Sequence, residues 1–235
     1  MNEKMQLFLM PFAGGGQHSF DVLLPYLTDE FELFVFEYAG HGTRRKEPFY
    51  TSFGDMVKDA ALFFHEKREN KPYAILGYSM GALVTYELYA SGLVKEVPSH
   101  IFLASHDSPD SQWEGKQYYG MQEEDFIAIL RRMGGMERVD EKTLSNKFFQ
   151  RLYMEPIKED YRLLAGYEMS RQIILPAKTT VFYAPDDITE ERIRGWEKFM
   201  MQGSHITAIG ENHFFYQKHA CVFADNIIRE AYENK

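Results

Sequence analysis

The stretch "YAILGYSMGALVTYEL" (residues 73–88) constrains the fold more than any other part of this chain. An apolar, β-rich run enters it and a helix-forming run leaves it, with no loop between them. The turn must be abrupt, and Gly77-Tyr78-Ser79-Met80-Gly81 fits the G-x-S-x-G pattern that makes such a turn. Glycines two residues before and two after the serine let strand and helix pass where a side chain would intrude. The turn lifts the Ser79 hydroxyl into the open. It also sets the Met80 N–H beside that hydroxyl at a helix amino terminus, where developing negative charge is stabilised.

The rest of the chain repeats the same alternation. Strand runs are expected at 6–10, 32–36, 73–77, 101–105, 179–184 and 205–210, separated by helical patterns. That order implies an α/β fold with a mainly parallel central sheet flanked by helices on both faces. In "TSFGDMVKDAALFFHEKREN", Phe53, Met56, Val57, Ala60, Phe63 and Phe64 recur at helical spacing, and Ser52 with Asp55 resembles a capping box. The helix "GALVTYELYAS" should stop at Gly92. From 110 to 171 the alternation breaks into three helical patterns, "EEDFIAILRRMGG", "KTLSNKFFQRLYM" and "IKEDYRLLAGYEM". The expected organisation is one sheet core, 1–109 with 172–235, carrying a helical lid insertion at 110–171. A further helix is expected across "TEERIRGWEKFM", and a final one across "HACVFADNIIREAY".

Charge and cysteine content exclude several classes. A formal net charge of −9 argues against wrapping nucleic acid and against an anionic membrane surface. No apolar segment approaches the length of a bilayer span. The amino-terminal run "MQLFLMPF" is short and interrupted by Gln6 and Pro11, so it does not read as an export signal. Cys221 is the lone cysteine, which fits a reducing, cytoplasmic setting; it reads as a small packing residue of the last helix.

A serine hydroxyl attacks only when a base removes its proton and a third group orients that base. On a strand-turn-helix nucleophile the order is serine, acid, histidine. Three histidines follow the later strands: His205 begins a strand, His219 lies in the last helix, and His213 falls in the loop "GENHFF", from which a side chain can reach over the sheet edge. The acid belongs after "TTVFYA", where Asp186 and Asp187 stand together. One of the two would orient His213 and the other would cap the helix near Thr189. The residues alone do not separate them.

A second glycine cluster, "LFLMPFAGGGQHSF", offers backbone amides to negative charge. Gly14-x-Gly16-x-x-Ser19, with Glu37 about twenty residues on, nearly matches a dinucleotide fingerprint and keeps a non-catalytic binding module as an alternative. The third position, however, is serine, and that reading leaves Ser79 and His213 unused.

"LMPFAGGG", "YAGHGTRR", "PYAILGYSMGALVTYEL", "FIAILRRMGGM", "IKEDYRLLAGYE", "FYAPDDIT" and "ENHFF" together resemble, in order and spacing, the type II thioesterases that accompany nonribosomal peptide and polyketide synthases. The resemblance spans nearly the whole chain. It implies an α/β-hydrolase fold with a helical lid, and hydrolysis of acyl groups from the phosphopantetheine arms of acyl or peptidyl carrier proteins. It further implies a triad of Ser79, Asp187 and His213, the acid being the second of the paired aspartates, and an oxyanion hole from the Phe12 and Met80 N–H groups. No cofactor or metal is implied, and a monomer is the simplest state. The chain departs from the family at Tyr78, where histidine is usual, at Glu211-Asn212-His213, where G-G-H is usual, and at Ala184-Pro185, where glycine is common. Tyr78 is expected to bear on substrate preference. A triad alone permits esters as well as thioesters, so a carboxylesterase or lipase of the same fold is the second enzyme reading. Lid residues Phe126, Ile129, Leu130, Met133, Phe148, Phe149 and Leu152 would form the lid core and, in part, an acyl tunnel. Arg44, Arg45, Lys46, Arg131 and Arg132 are candidate contacts to the carrier or its phosphate.

Overall fold

The expected strand runs pair into one sheet in the structure, a computed structural model that describes residues 3–112, 114–137 and 139–232. The strands are β1 (Met5–Met10), β2 (Phe31–Val35), β3 (Tyr73–Tyr78), β4 (His100–Ala104), β5 (Thr179–Tyr183) and β6 (His205–Ala208). They lie in the order β2-β1-β3-β4-β5-β6, and every pairing is parallel. The longer helices are α1 (Phe53–Lys67), α2 (Met80–Ala90), α3 (Glu123–Arg132), α4 (Glu155–Ala165) and α5 (Ala220–Tyr232).

Alternate strand residues bury on opposite faces. Phe8, Met10, Ile75, Leu103 and Val181 join α1 and α2 in one core, while Leu7, Leu9, Leu76, Phe102 and Phe182 join α5 in the other. Because both faces are covered, the strands read as continuous apolar runs rather than alternating ones. All of α2 is buried, which explains why it shows no polar face in the sequence. The register sets Met10 beside Gly77 and Tyr78 beside Ala104, so the carboxyl ends of β1, β3 and β4 meet where Ser79 emerges.

Local chemistry fixes the helix ends. Ser52 caps α1 by accepting the Asp55 N–H at 3.1 Å, and its hydroxyl donates to the Asp55 carboxylate at 2.8 Å. Gly92, at φ 74°, ends the chain's run through α2. Between β4 and β5 the described residues form helices and turns only. The second and third helical patterns of this stretch nearly merge, because α4 is preceded directly by a π-helical turn at Gln150–Met154. Pro156 cannot donate the next helical hydrogen bond, and the widened turn accommodates it.

Three local expectations need correction. Cys221 is exposed, not packed: the buried face of α5 carries Ala220, Phe223, Ala224, Ile227 and Ala231, which leaves residue 221 outside. Asp186 does not cap the following helix; Thr189 does so itself, accepting the Arg192 N–H. The helix expected across 189–200 is α-helical only over Glu190–Ile193 and then tightens to 3-10 geometry over Arg194–Phe199. There a Cβ at Gly195 would meet the Ser108 hydroxyl at 2.5 Å, and the Trp196 indole donates to the His106 carbonyl at 2.7 Å.

His100 gives the core a pH dependence. It is buried in β4, its Nε2 lies 2.8 Å from the Thr180 hydroxyl, and burial pushes its pKa from 6.5 down to about 4. The unfolded chain takes up this proton near the ordinary value, so this residue's contribution to stability falls as pH drops through the window between the two. Between pH 7 and pH 5 the loss should be about 2 kcal/mol. In urea unfolding at both pH values, His100→Gln should lose less stability than the parent by that amount; parallel losses in both proteins would contradict the assignment.

Candidate active site

The turn after β3 has the geometry that its glycines require. Ser79 sits at φ 52° and ψ −118°, a left-handed conformation that non-glycine residues rarely adopt. Its N–H donates to the Ala104 carbonyl at 2.7 Å, which holds the strained residue in place. A Cβ at Gly77 would lie 2.2 Å from the Gly81 carbonyl oxygen, and one at Gly81 would lie 1.9 Å from that of Met10. Neither clash can be relieved by rotating a side chain, so both positions demand glycine.

The loops after β5 and β6 bring two partners to this serine. His213 Nε2 lies 3.0 Å from Ser79 Oγ, and His213 Nδ1 lies 2.8 Å from Asp187 Oδ2. A carboxylate only accepts, so Nδ1 carries a proton and donates it; in the neutral ring Nε2 then accepts from the hydroxyl. Ser79 and His213 are 8% and 6% exposed, dry enough to strengthen these bonds yet reachable by substrate. Of the paired aspartates the structure brings Asp187 to the histidine, while Asp186 lines the cavity nearby. His205 instead pairs with Glu230, and His219 faces Glu211.

Tyr78 plays a different part from the one expected. It is fully buried beneath the histidine loop, and its hydroxyl donates to the His213 carbonyl at 2.6 Å. The Ser105 hydroxyl donates to the same carbonyl at 2.9 Å, and Ser105 is the other non-glycine residue with positive φ among those described. Two hydroxyls on neighbouring strand ends thus fix the backbone that carries the imidazole. Tyr78 bears on histidine placement rather than on substrate contact. Asn212 steadies the loop as well, its side-chain oxygen accepting the Phe214 N–H at 3.1 Å.

Two cavities meet at Ser79, Met133 and His213. One, of about 430 Å³, is polar and is lined by Arg132, Arg192, Asp186, Glu211 and Asn212. The other, of about 230 Å³, is apolar and is walled by Phe12, Leu130, Met136, Phe149, Ile157 and Phe214. Phe12 and Ser79 line the same apolar cavity, and Met80 begins α2 directly after Ser79. Among the proposed lid residues, Leu130, Met133 and Phe149 reach this apolar wall and Phe126 is buried, whereas Phe148 is exposed. Arg44 is committed to Glu47 and Asp59, and Arg131 to Glu141; Arg45 and Lys46 are exposed, and Arg132 lines the polar cavity.

The glycine cluster after β1 does not form a nucleotide cradle. The Gly14 N–H donates to Asp160, the Gly16 N–H to the Ser19 hydroxyl, and the Gln17 N–H to Glu37. Glu37 also accepts from the Thr43 N–H. The amides and the carboxylate that a dinucleotide would need are spent within the protein. Among the described residues, no group of three or more His, Cys, Asp or Glu side chains is arranged to hold a metal ion.

By sequence, the thioesterase domain family matches residues 5–231. The chain belongs to the thioesterase family. This thioesterase is 24% identical to the gramicidin S biosynthesis protein GrsT of Aneurinibacillus migulanus over 216 residues, covering 90% of this chain and 83% of that one. Its fold is similar to that of ClbQ from the colibactin nonribosomal peptide/polyketide pathway, with a TM-score of 0.84 and 23% identity over 97% of both chains. It also resembles the RedJ thioesterase of the prodiginine pathway in Streptomyces coelicolor, with a TM-score of 0.81 and 25% identity over 96% of this chain and 90% of that one. The thioesterase has the α/β-hydrolase fold. Among its described residues no helix is long and apolar enough to cross a membrane.

Proposed function

We propose that the protein is a type II, editing thioesterase, releasing acyl groups from the phosphopantetheine arms of carrier proteins in a peptide or polyketide synthase. The observation that carries this reading is the hydrogen-bonded chain Asp187–His213–Ser79, set where a polar and an apolar cavity join. Relatives such as the gramicidin S biosynthesis protein support the synthase setting.

In this reading His213 Nε2 accepts the Ser79 proton as Oγ bonds to the thioester carbonyl carbon. The carbonyl oxygen becomes an oxyanion facing the N–H groups of Phe12 and Met80. The C–S bond then breaks, the thiolate takes the proton from His213, and an acyl-serine remains. A thiol leaves easily, its pKa being near 8.5. Water, deprotonated by the same imidazole, attacks the acyl-serine; the acid departs and Ser79 recovers its proton. The acyl chain fits the apolar cavity, and the polar arm the other, where Arg132 offers positive charge to its phosphate.

Three substrates with one acyl group test the assignment: acyl-carrier protein, acyl-CoA and a p-nitrophenyl ester. The carrier thioester should give the highest kcat/KM, exceeding the simple ester by about tenfold or more, equivalent to ~1.4 kcal/mol of transition-state binding. A tenfold preference for the simple ester would instead make the protein a general carboxylesterase.

A further inference from the structure

Asp160 stands apart from the chain of groups just described, yet it is almost wholly buried. It lies on α4, and its Oδ2 accepts the Gly14 N–H at 2.7 Å and faces His41 Nε2 at 3.0 Å. Three segments distant in sequence meet at this one oxygen: the loop after β1, the loop after β2 and helix α4. His41 Nδ1 faces the Ala39 carbonyl oxygen at 3.1 Å, so both ring nitrogens point at acceptors. Only the imidazolium satisfies two acceptors at once. Burial works against that charge, but Asp160, with Glu37 farther off, more than offsets it and raises the His41 pKa. The pair is therefore a buried ion pair with both partners hydrogen-bonded, and breaking it by removing one partner is costly.

What this pair holds is the loop that carries the Phe12 N–H. The Gly15 N–H donates to the Phe12 carbonyl at 2.8 Å, so Phe12 and Gly14 belong to one tight turn. Gly14 has φ 79°, and a Cβ there would lie 2.2 Å from Ile157 Cγ1 of the same helix. Helix α4 is itself tied to the core, because the Arg162 guanidinium donates to the carbonyls of Tyr50 and Thr51. It meets the turn through both a packing contact and a hydrogen bond.

We propose that Asp160, charge-paired with His41, is a positioning residue that sets the Phe12 N–H for the oxyanion through the Gly14 amide. This rests on Ser79 acting as the nucleophile with Phe12 as an oxyanion donor. Because such a donor acts chiefly on the charged, tetrahedral state, the effect should appear in kcat and in the binding of tetrahedral anions, not in ground-state affinity.

The test compares Asp160→Ala and Asp160→Asn with the parent enzyme, using the acyl-carrier substrate, an alkyl boronate that forms a tetrahedral anion on serine, and an unreactive thioether analogue of the substrate. Asp160→Ala should lower kcat by about a hundredfold, the loss typical of one misplaced oxyanion donor. The boronate should weaken in parallel, while thioether affinity and KM stay within about threefold. Asp160→Asn keeps an oxygen that can accept both the Gly14 N–H and a His41 Nε2–H, so it should recover most of the lost kcat. If the alanine variant does not fold, Asp160→Ser, whose hydroxyl is too short to reach the amide, takes its place in the comparison. Equal boronate affinity in parent and variants, a loss confined to KM and thioether binding, or no recovery in a folded asparagine variant would each overturn the proposal. A boronate that fails to inhibit the parent enzyme would instead count against Ser79 as nucleophile, which keeps the two failures apart.

Discussion

Ser79→Ala should lower kcat on an acyl-carrier thioester by roughly 10⁴–10⁶ without unfolding the protein. The loss is large because the proposed reaction passes through a covalent acyl-serine, and Ser79 is the hydroxyl that His213 Nε2 contacts. Ser105, the other strained serine, spends its hydroxyl on the His213 carbonyl. The substitution removes only one buried oxygen and leaves the Ala104 contact to the backbone intact, so urea unfolding should show a cooperative transition like the parent's. Some rate above the uncatalysed reaction should persist, since oxyanion donors and bound substrate act without the nucleophile. Near-normal turnover in a folded variant would refute the assignment.

Asp187→Asn should cost about 10⁴ in kcat with little change in KM. The carboxylate accepts from His213 Nδ1 at 2.8 Å and so keeps Nε2 free to take the Ser79 proton. An asparagine amide can donate to Nδ1 instead, which moves the ring proton to Nε2, where it blocks proton transfer from serine. The geometry would survive and the chemistry would not. Asp186→Asn is the matched control: its side chain lines the polar cavity while the bond to the imidazole is made by Asp187, and kcat should change by less than about tenfold. Equal losses in the two variants would show that cavity charge, rather than ring orientation, is what matters.

These groups are legible in the sequence because their signals are local. A strand that turns into a helix within a G-x-S-x-G pattern marks Ser79 without knowledge of any distant residue. Chain order then narrows eight histidines to the one in the loop after the last strand. Choosing Asp187 over Asp186 is different, since adjacent carboxylates carry the same local signal; the resemblance favours Asp187, and the 2.8 Å contact places it at the ring.

What local pattern hides is contact across the chain. Tyr78 reads as a departure from the family that bears on substrate preference, and nothing near it in the sequence shows that its hydroxyl meets a carbonyl 135 positions away. Asp160 sits among the charges of a helical pattern, and nothing nearby reveals a histidine 119 positions earlier. Cys221 shows the finer limit: an amphipathic helix is evident from its apolar spacing, but a small residue beside the apolar stripe needs the helix phase to be placed. Two glycines carry more information than any of these. Gly77 and Gly81 are required because a Cβ there would lie 2.2 and 1.9 Å from a backbone carbonyl oxygen, and that requirement is what makes the motif readable at all.

The central claim, that Ser79 carries the acyl group between carrier and water, is tested most directly by rapid acid quench of a single turnover with acyl-carrier protein, followed by intact and peptide mass spectrometry. The account predicts a transient mass increase equal to the acyl group, located on Ser79 and absent from Ser79→Ala. Full product formation at the parent rate with no acylated enzyme at any quench time, or the acyl group on another side chain, would contradict it.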